Sequence, residues 1–165
     1  MNTVLRLPLL LVLALQGFTG CTHHPQRLLG TWHSDVAHSM SWNDRHAKLS
    51  QLEEAQYIEL LGNMLVTYNP DGTATIEMKP HTLTYSGRKV VQPGYRRTVK
   101  YKILAADETS MLVQFNMPGM EDIVNKITFV GNNNYWIKLG KAKANSNPRE
   151  YFRRIVPVSP IPYYP

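Results

Sequence analysis

Met64-Leu65-Val66-Thr67-Tyr68-Asn69-Pro70-Asp71-Gly72-Thr73-Ala74-Thr75-Ile76-Glu77-Met78 decides the fold of this chain. Met64, Val66 and Tyr68 alternate with Leu65, Thr67 and Asn69, and Ala74, Ile76 and Met78 alternate with Thr75, Glu77 and Lys79. A period of two is the mark of a half-buried strand. Between the two runs Pro70 fixes φ at the first corner of a turn, and Gly72 takes the positive φ that closes it. The stretch therefore predicts an antiparallel hairpin with one apolar and one polar face.

On the N-terminal side the period changes. Leu49, Leu52, Ala55, Ile58 and Leu61 recur every three residues, a narrow helical stripe that predicts one helix over about Asp44–Leu61. Ser41 with Asp44, or Ser50 with Glu53, offers capping-box spacing, and Gly62 supplies a stop. Before it, Leu28-Leu29-Gly30-Thr31-Trp32-His33-Ser34 reads as a first strand with a buried Trp32.

On the C-terminal side, residues 80–94 hold two prolines and two glycines and read as a long loop, with a short strand at Thr82–Tyr85. Four further alternating runs carry Val99/Tyr101/Ile103, Met111/Val113/Phe115, Ile123/Ile127/Phe129 and Tyr135/Ile137/Leu139. A last run spans Tyr151–Val156. The tail at 157–165 holds four prolines and two tyrosines and cannot enter a sheet interior. The fold class is thus all-β and mainly antiparallel. About eight short strands are interrupted by one helix after the first, and such a meander hides its edges by closing into an up-and-down barrel.

The N-terminus sets the compartment. Leu7–Leu15 is an apolar run of nine residues, too short for the roughly 20 that span a bilayer, and it follows a single cation, Arg6. It leads into Gly17-Phe18-Thr19-Gly20-Cys21, and Cys21 is the chain's one cysteine. This junction resembles the signal peptide and lipobox of bacterial lipoproteins, with Phe18 where leucine is usual. The resemblance implies removal of residues 1–20, acylation of Cys21 (palmitate among the acyl groups), a tether over 21–27, and a membrane anchor in the cell envelope. Thr22, in place of an aspartate, resembles outer-membrane sorting, with the protein facing the periplasm.

The whole chain has 18 Lys+Arg against 12 Asp+Glu, a formal charge of +6, and loss of Arg6 with the signal lowers it by one. The cations are scattered rather than clustered, apart from Arg88-Lys89, Arg96-Arg97, Lys141/Lys143 and Arg153-Arg154, which suits a soluble basic surface and admits anionic lipid or an acidic envelope polymer as a partner. An exported protein is not expected to meet nucleic acid. With Cys21 acylated no thiol is left, so neither a disulfide framework nor cysteine catalysis is expected.

Residues 28–156 resemble the lipocalin-like (calycin-type) domains of small bacterial lipoproteins. The resemblance is carried by Leu29-Gly30-Thr31-Trp32, by Tyr68-Asn69-Pro70-Asp71-Gly72-Thr73 and by Val99-Lys100-Tyr101-Lys102-Ile103, and later by Ile127-Thr128-Phe129-Val130, Tyr135-Trp136-Ile137 and Tyr151-Phe152-Arg153-Arg154. It implies that Gly30 and Trp32 close one end of a barrel, with Arg153 or Arg154 packed over the indole.

Candidate chemistry is sparse. His33, His38 and His46 lack metal-ligand spacing, and Glu53-Glu54, Asp107-Glu108 and Glu121-Asp122 are sequence neighbours rather than carboxylates facing across a cleft. No nucleophile elbow or phosphate loop occurs. No catalytic residue, metal or cofactor is expected. The more informative residues are Met64, Met78, Met111, Met117 and Met120, because methionine adapts to irregular apolar partners. Met64, Val66, Tyr68, Ile76, Met78, Tyr101, Met111 and Phe115 are the candidate lining of an interior site for a small apolar or lipid-like ligand. The alternative is a solid barrel that meets an envelope protein through its surface or its tail.

Overall fold

The computed structural model describes residues 24–85, 87–140 and 147–155. The signal segment, Cys21, residues 141–146 and the tail from 156 lie outside the described residues. The chain order is α1 (His24–Leu28), β1 (Gly30–Ser34), α2 (Val36–His46), α3 (Gln51–Leu60), β2 (Met64–Tyr68), β3 (Thr73–Met78), β4 (His81–Tyr85), β5 (Arg88–Gln92), β6 (Tyr95–Ala106), β7 (Ser110–Asn116), β8 (Ile123–Val130), β9 (Asn134–Lys138) and β10 (Arg149–Ile155).

Eight strands close into a barrel in the order β1-β10-β9-β8-β7-β6-β3-β2, each pair antiparallel. The sheet is an up-and-down meander with one excursion, because β4 and β5 leave it to form a separate two-stranded hairpin between β3 and β6. Closure follows from the period of two: Trp32, Val66, Tyr68, Ala74, Val99, Met111, Val113, Phe115, Ile127, Phe129, Tyr135 and Phe152 share one buried core. The β2–β3 hairpin has the register Val66↔Ile76, and the backbone of Gly72 donates to Asn69 O at 3.3 Å across its turn.

The helical insert after β1 is divided in two. Instead of one helix over 44–61, α2 ends at His46 and α3 begins at Gln51. Between them Lys48 has a φ of 46°, a left-handed value that no helix tolerates. The stripe of Leu49, Leu52 and Ile58 does not mark a core face. Leu52 and Ile58 are exposed, and α3 buries none of its residues fully. Of the two cap spacings, Ser50 with Glu53 forms a full capping box, while Ser41 accepts from the Arg45 guanidinium. Gly62, at φ 80°, ends α3, and a Cβ there would meet Val36 Cγ2 at 2.2 Å.

α2 is placed by polar contacts. The side-chain amide of Asn43 donates to Arg149 O at 3.0 Å and its oxygen accepts from Arg149 N at 2.9 Å. Ser39 Oγ accepts from Tyr151 N at 2.8 Å, and Asp35 N donates to Tyr151 O at 2.7 Å. These four bonds satisfy the length of β10 that extends past the end of β1, so the helix stands in for a missing strand. The Arg149 guanidinium lies 4.0 Å from the Trp42 ring centroid and 3.6 Å from that of Trp136, a cation between two indoles that pins the helix to the barrel wall. Two shorter corrections apply. The tether's end is helical, since α1 starts at His24, and the loop at 80–94 is mostly the β4–β5 hairpin.

Candidate functional site

The two ends of the barrel are built differently. At the end where β1 begins, Leu28 and Trp32 are fully buried, and Trp32 Nε1 donates to Leu28 O at 2.8 Å. Tyr135 lies 4.7 Å from Trp32 and 4.8 Å from Phe152 between ring centroids, and Phe129 completes the plug. Arg154 is the arginine over the indole, 4.2 Å from its centroid. Arg153 is on the opposite face of β10, exposed, and opposite Asn134 and His33. This follows from strand alternation, because Phe152 and Arg154 face in together. The Arg154 guanidinium donates to Leu29 O and to Arg27 O, the latter at 2.6 Å.

Gly30 makes this stacking possible. Its φ is 108°, and a Cβ there would lie 3.1 Å from Arg154 Nη1. Arg27 adds a second clamp. It sits 4.5 Å over the Phe129 ring and donates to Glu108 O at 2.6 Å and Gly131 O at 2.8 Å, tying α1 to two turns at this end. This end is a solid seal.

The other end holds a void of about 150 Å³. Five of the eight candidate lining residues surround it: Met64, Val66, Tyr68, Ile76 and Phe115. Met78, Tyr101 and Met111 do not. Met111 faces inward and is buried in the core, but it stops short of the void that its cross-strand neighbour Ile127 lines. Tyr101 stands edge-on to Tyr68 at 5.3 Å and donates to Asn69 O at 3.2 Å. Met78 is buried at the rim. Met117 lines the void and Met120, 62% exposed, does not. The void also takes in Tyr95, Ile123, Asn125, Ile127 and Ile137, and it reaches the underside of the plug at Tyr135 and Phe152.

Polarity inside is limited and specific. Burial pushes the Tyr68 and Tyr135 phenols well above their usual range, and the two hydroxyls interact with each other. Both are therefore neutral, and Asn125 is the one amide in the lining. Glu150, two residues before inward-facing Phe152, is 3% exposed. Burial pushes its carboxyl up to about 7, opposed by a 2.5 Å hydrogen bond from Ser34 Oγ. Ser34 Oγ in turn accepts from Gly62 N at 2.8 Å, so this acid joins β1, β10 and the end of α3. Among the described residues no ion pair reaches Glu150.

A larger hollow of about 660 Å³ lies outside the barrel, between α3 and the β4–β5 hairpin. The Glu59 carboxylate accepts from Thr84 N at 2.5 Å and Thr84 Oγ1 at 2.7 Å, and these bonds hold its pKa below the usual carboxylate range. His38 stacks on Tyr151 at 3.9 Å and His46 on Trp42 at 4.6 Å, and among the described residues no three acidic or histidine side chains gather into a metal site. The carboxylate neighbours serve turns and caps: Asp107 accepts from Thr109 N, Ser110 N and both hydroxyls, and Asp122 accepts from Gln114.

The arrangement defines a closed eight-stranded barrel with one sealed end and one hollow end. No family model matches the chain, no curated protein matches its sequence, and no solved structure matches its fold.

Proposed function

We propose that this chain is a lipid-anchored, lipocalin-like protein of the cell envelope whose barrel binds a small apolar ligand for storage, transport or sensing. The observation that carries the reading is the void of about 150 Å³ behind Met64, Ile76, Phe115 and Ile137. A dry apolar cavity of about that size holds one benzene-sized molecule, whereas sites for drug-sized ligands run to roughly 300–1,000 Å³. The ligand is therefore a single ring or the end of a short chain, not a whole lipid. Neutral Tyr68 and Tyr135 and Asn125 favour an uncharged molecule with at most one polar group.

The anchor is acylated Cys21, and the location is the outer membrane, facing the periplasm. Cys21 precedes α1 by three residues, which span at most about 10 Å. Anchoring there turns the sealed end toward the membrane and the hollow end away from it, so ligand enters from the aqueous side.

Calorimetric titration of residues 22–165 with benzene tests the site. Saturable binding that weakens at least tenfold in Ile137→Phe is expected, and no saturable heat, or equal affinity in the variant, overturns the reading. The anchor has its own test. Radiolabelled palmitate supplied to the host should enter the protein and be lost in Cys21→Ser, and absence of label refutes it.

A further inference from the structure

We infer that β5 is a strand-addition site for an extended acidic segment of a partner protein. In an antiparallel pair, opposed residues alternate between pairs bonded to each other and pairs whose N–H and C=O groups point away. Thr84 N–H points away from β5, because it donates to Glu59. Thr84 is opposite Lys89, so that pair faces outward on both strands, and by alternation Val91, opposite Thr82, faces outward too.

The two edges of the hairpin then differ. On the β4 side α3 packs against the strand, and Glu59 takes the Thr84 donor. On the β5 side the N–H and C=O groups of Lys89 and Val91 have no hydrogen-bond partner among the described residues. An open edge of this kind accepts another strand.

The second observation is the hollow of about 660 Å³. Glu53, Gln56, Tyr57 and Leu60 of α3 form one wall, and Leu83, Thr84, Val90 and Gln92 form the face of the hairpin above it, so the hollow suits apolar side chains and the carboxylates of a partner belong on the other face. A strand laid beside β5 would send alternate side chains into this hollow. Backbone bonds then supply affinity and the hollow supplies selectivity.

Charge selects the occupant. Arg88 and Lys89 are exposed, and neither forms an ion pair among the described residues. The Glu59 carboxylate is held by its two Thr84 bonds, and Lys89 lies close enough to act on it electrostatically while remaining exposed. A second copy of this chain would bring two more cations against the same edge, and like charges across a strand pair repel. An acidic segment with apolar residues at alternate positions sets its apolar side chains on the face of Val90 and the hollow and its carboxylates on the opposite face, beside Lys89.

The test follows amide exchange in residues 22–165 with an acetylated, amidated nine-residue peptide that alternates valine with glutamate. The Lys89 and Val91 amides should exchange fast in the free protein and slow at least tenfold with peptide, while the Val90 amide is protected throughout. Val91→Pro removes one outward donor and leaves the bonds to β4 in place, so Lys89 should lose its peptide-induced protection while Val90 keeps its own. Lys89→Glu should weaken this peptide and favour one with lysine in place of glutamate. Absence of induced protection, or protection that survives Val91→Pro, overturns the strand-addition site. Equal binding of the lysine peptide to the unaltered protein overturns the acidic partner, as would protection at Lys89 and Val91 that arises without peptide and grows with dimer formation.

Discussion

The sealed end and the hollow end of this barrel are made from the same alternation of side chains, yet one is packed solid and the other is not. At the sealed end four aromatic rings interlock and two arginines cap them, with their guanidinium bonds going to backbone carbonyls of α1, of Leu29 just after it and of two nearby turns. At the hollow end Met64, Met117 and four isoleucines share the lining of a void with aromatic rings, and Glu150, the one fully buried carboxylate among the described residues, has a serine rather than a cation as its partner. Rigid rings fill space in a few fixed poses, and flexible side chains leave it adjustable. Stability is thus concentrated at one end and adaptability at the other.

The comparison breaks first at the seal. Trp32→Ala removes the centre of the plug and should cost about 3–5 kcal/mol, as buried Trp truncations do. A denaturant midpoint close to that of the parent would show that the plug does not hold the barrel. Next comes Arg154→Met, which gives up two charge-assisted bonds and the stacking on Trp32. A loss of about 2–4 kcal/mol is expected from those contacts, and an unchanged thermal midpoint would remove Arg154 from the account.

At the hollow end the expected effect is smaller and depends on pH. Glu150 titrates near 4.5 when unfolded and is pushed up to about 7 in the fold. The folded state therefore binds the proton more tightly. Stability should fall as pH rises from about 4.5 to about 7 and level off above, by on the order of 2–3 kcal/mol in all. Glu150→Gln should flatten this slope in unfolding experiments at pH 5 and pH 8, and a slope that persists would assign it to another group. Smallest of all is Ile137→Phe, which should shift stability by less than about 1 kcal/mol because the void absorbs the added atoms. Its effect is on the ligand, and a large destabilisation would mean that the region is already filled.

Much of the barrel was legible because its signals are local. The Asn69–Gly72 turn, the alternating runs and the Gly30/Trp32 pair each declare themselves within a few residues. α2 was not legible for a physical reason. The side chains it buries most deeply are Ser39 and Asn43, not apolar residues, because it covers the backbone of β10 instead of packing into a core. No apolar period can mark such a helix, and the polar pair four residues apart between aromatic neighbours is the only trace. β5 was hidden likewise, since Arg88-Lys89-Val90-Val91-Gln92 does not alternate and faces solvent on most of its length.

The site was half legible. Alternation identifies which residues face inward, and it does so for Met111 as well as for Met64. It does not give depth along the axis. Met111 packs in the core without reaching the void, while Met64 lines it and stands beside Met78 at the hollow rim. The choice between Arg153 and Arg154 is likewise a question of parity, settled once Phe152 is known to face inward.

A crystal of residues 22–165 held under xenon pressure tests the central claim most directly. The account predicts a single xenon site enclosed by Met64, Ile76, Phe115 and Ile137, absent from Ile137→Phe, with none between Trp32 and Phe129 at the sealed end. Xenon at the sealed end, or an interior that takes up none at all, would contradict it.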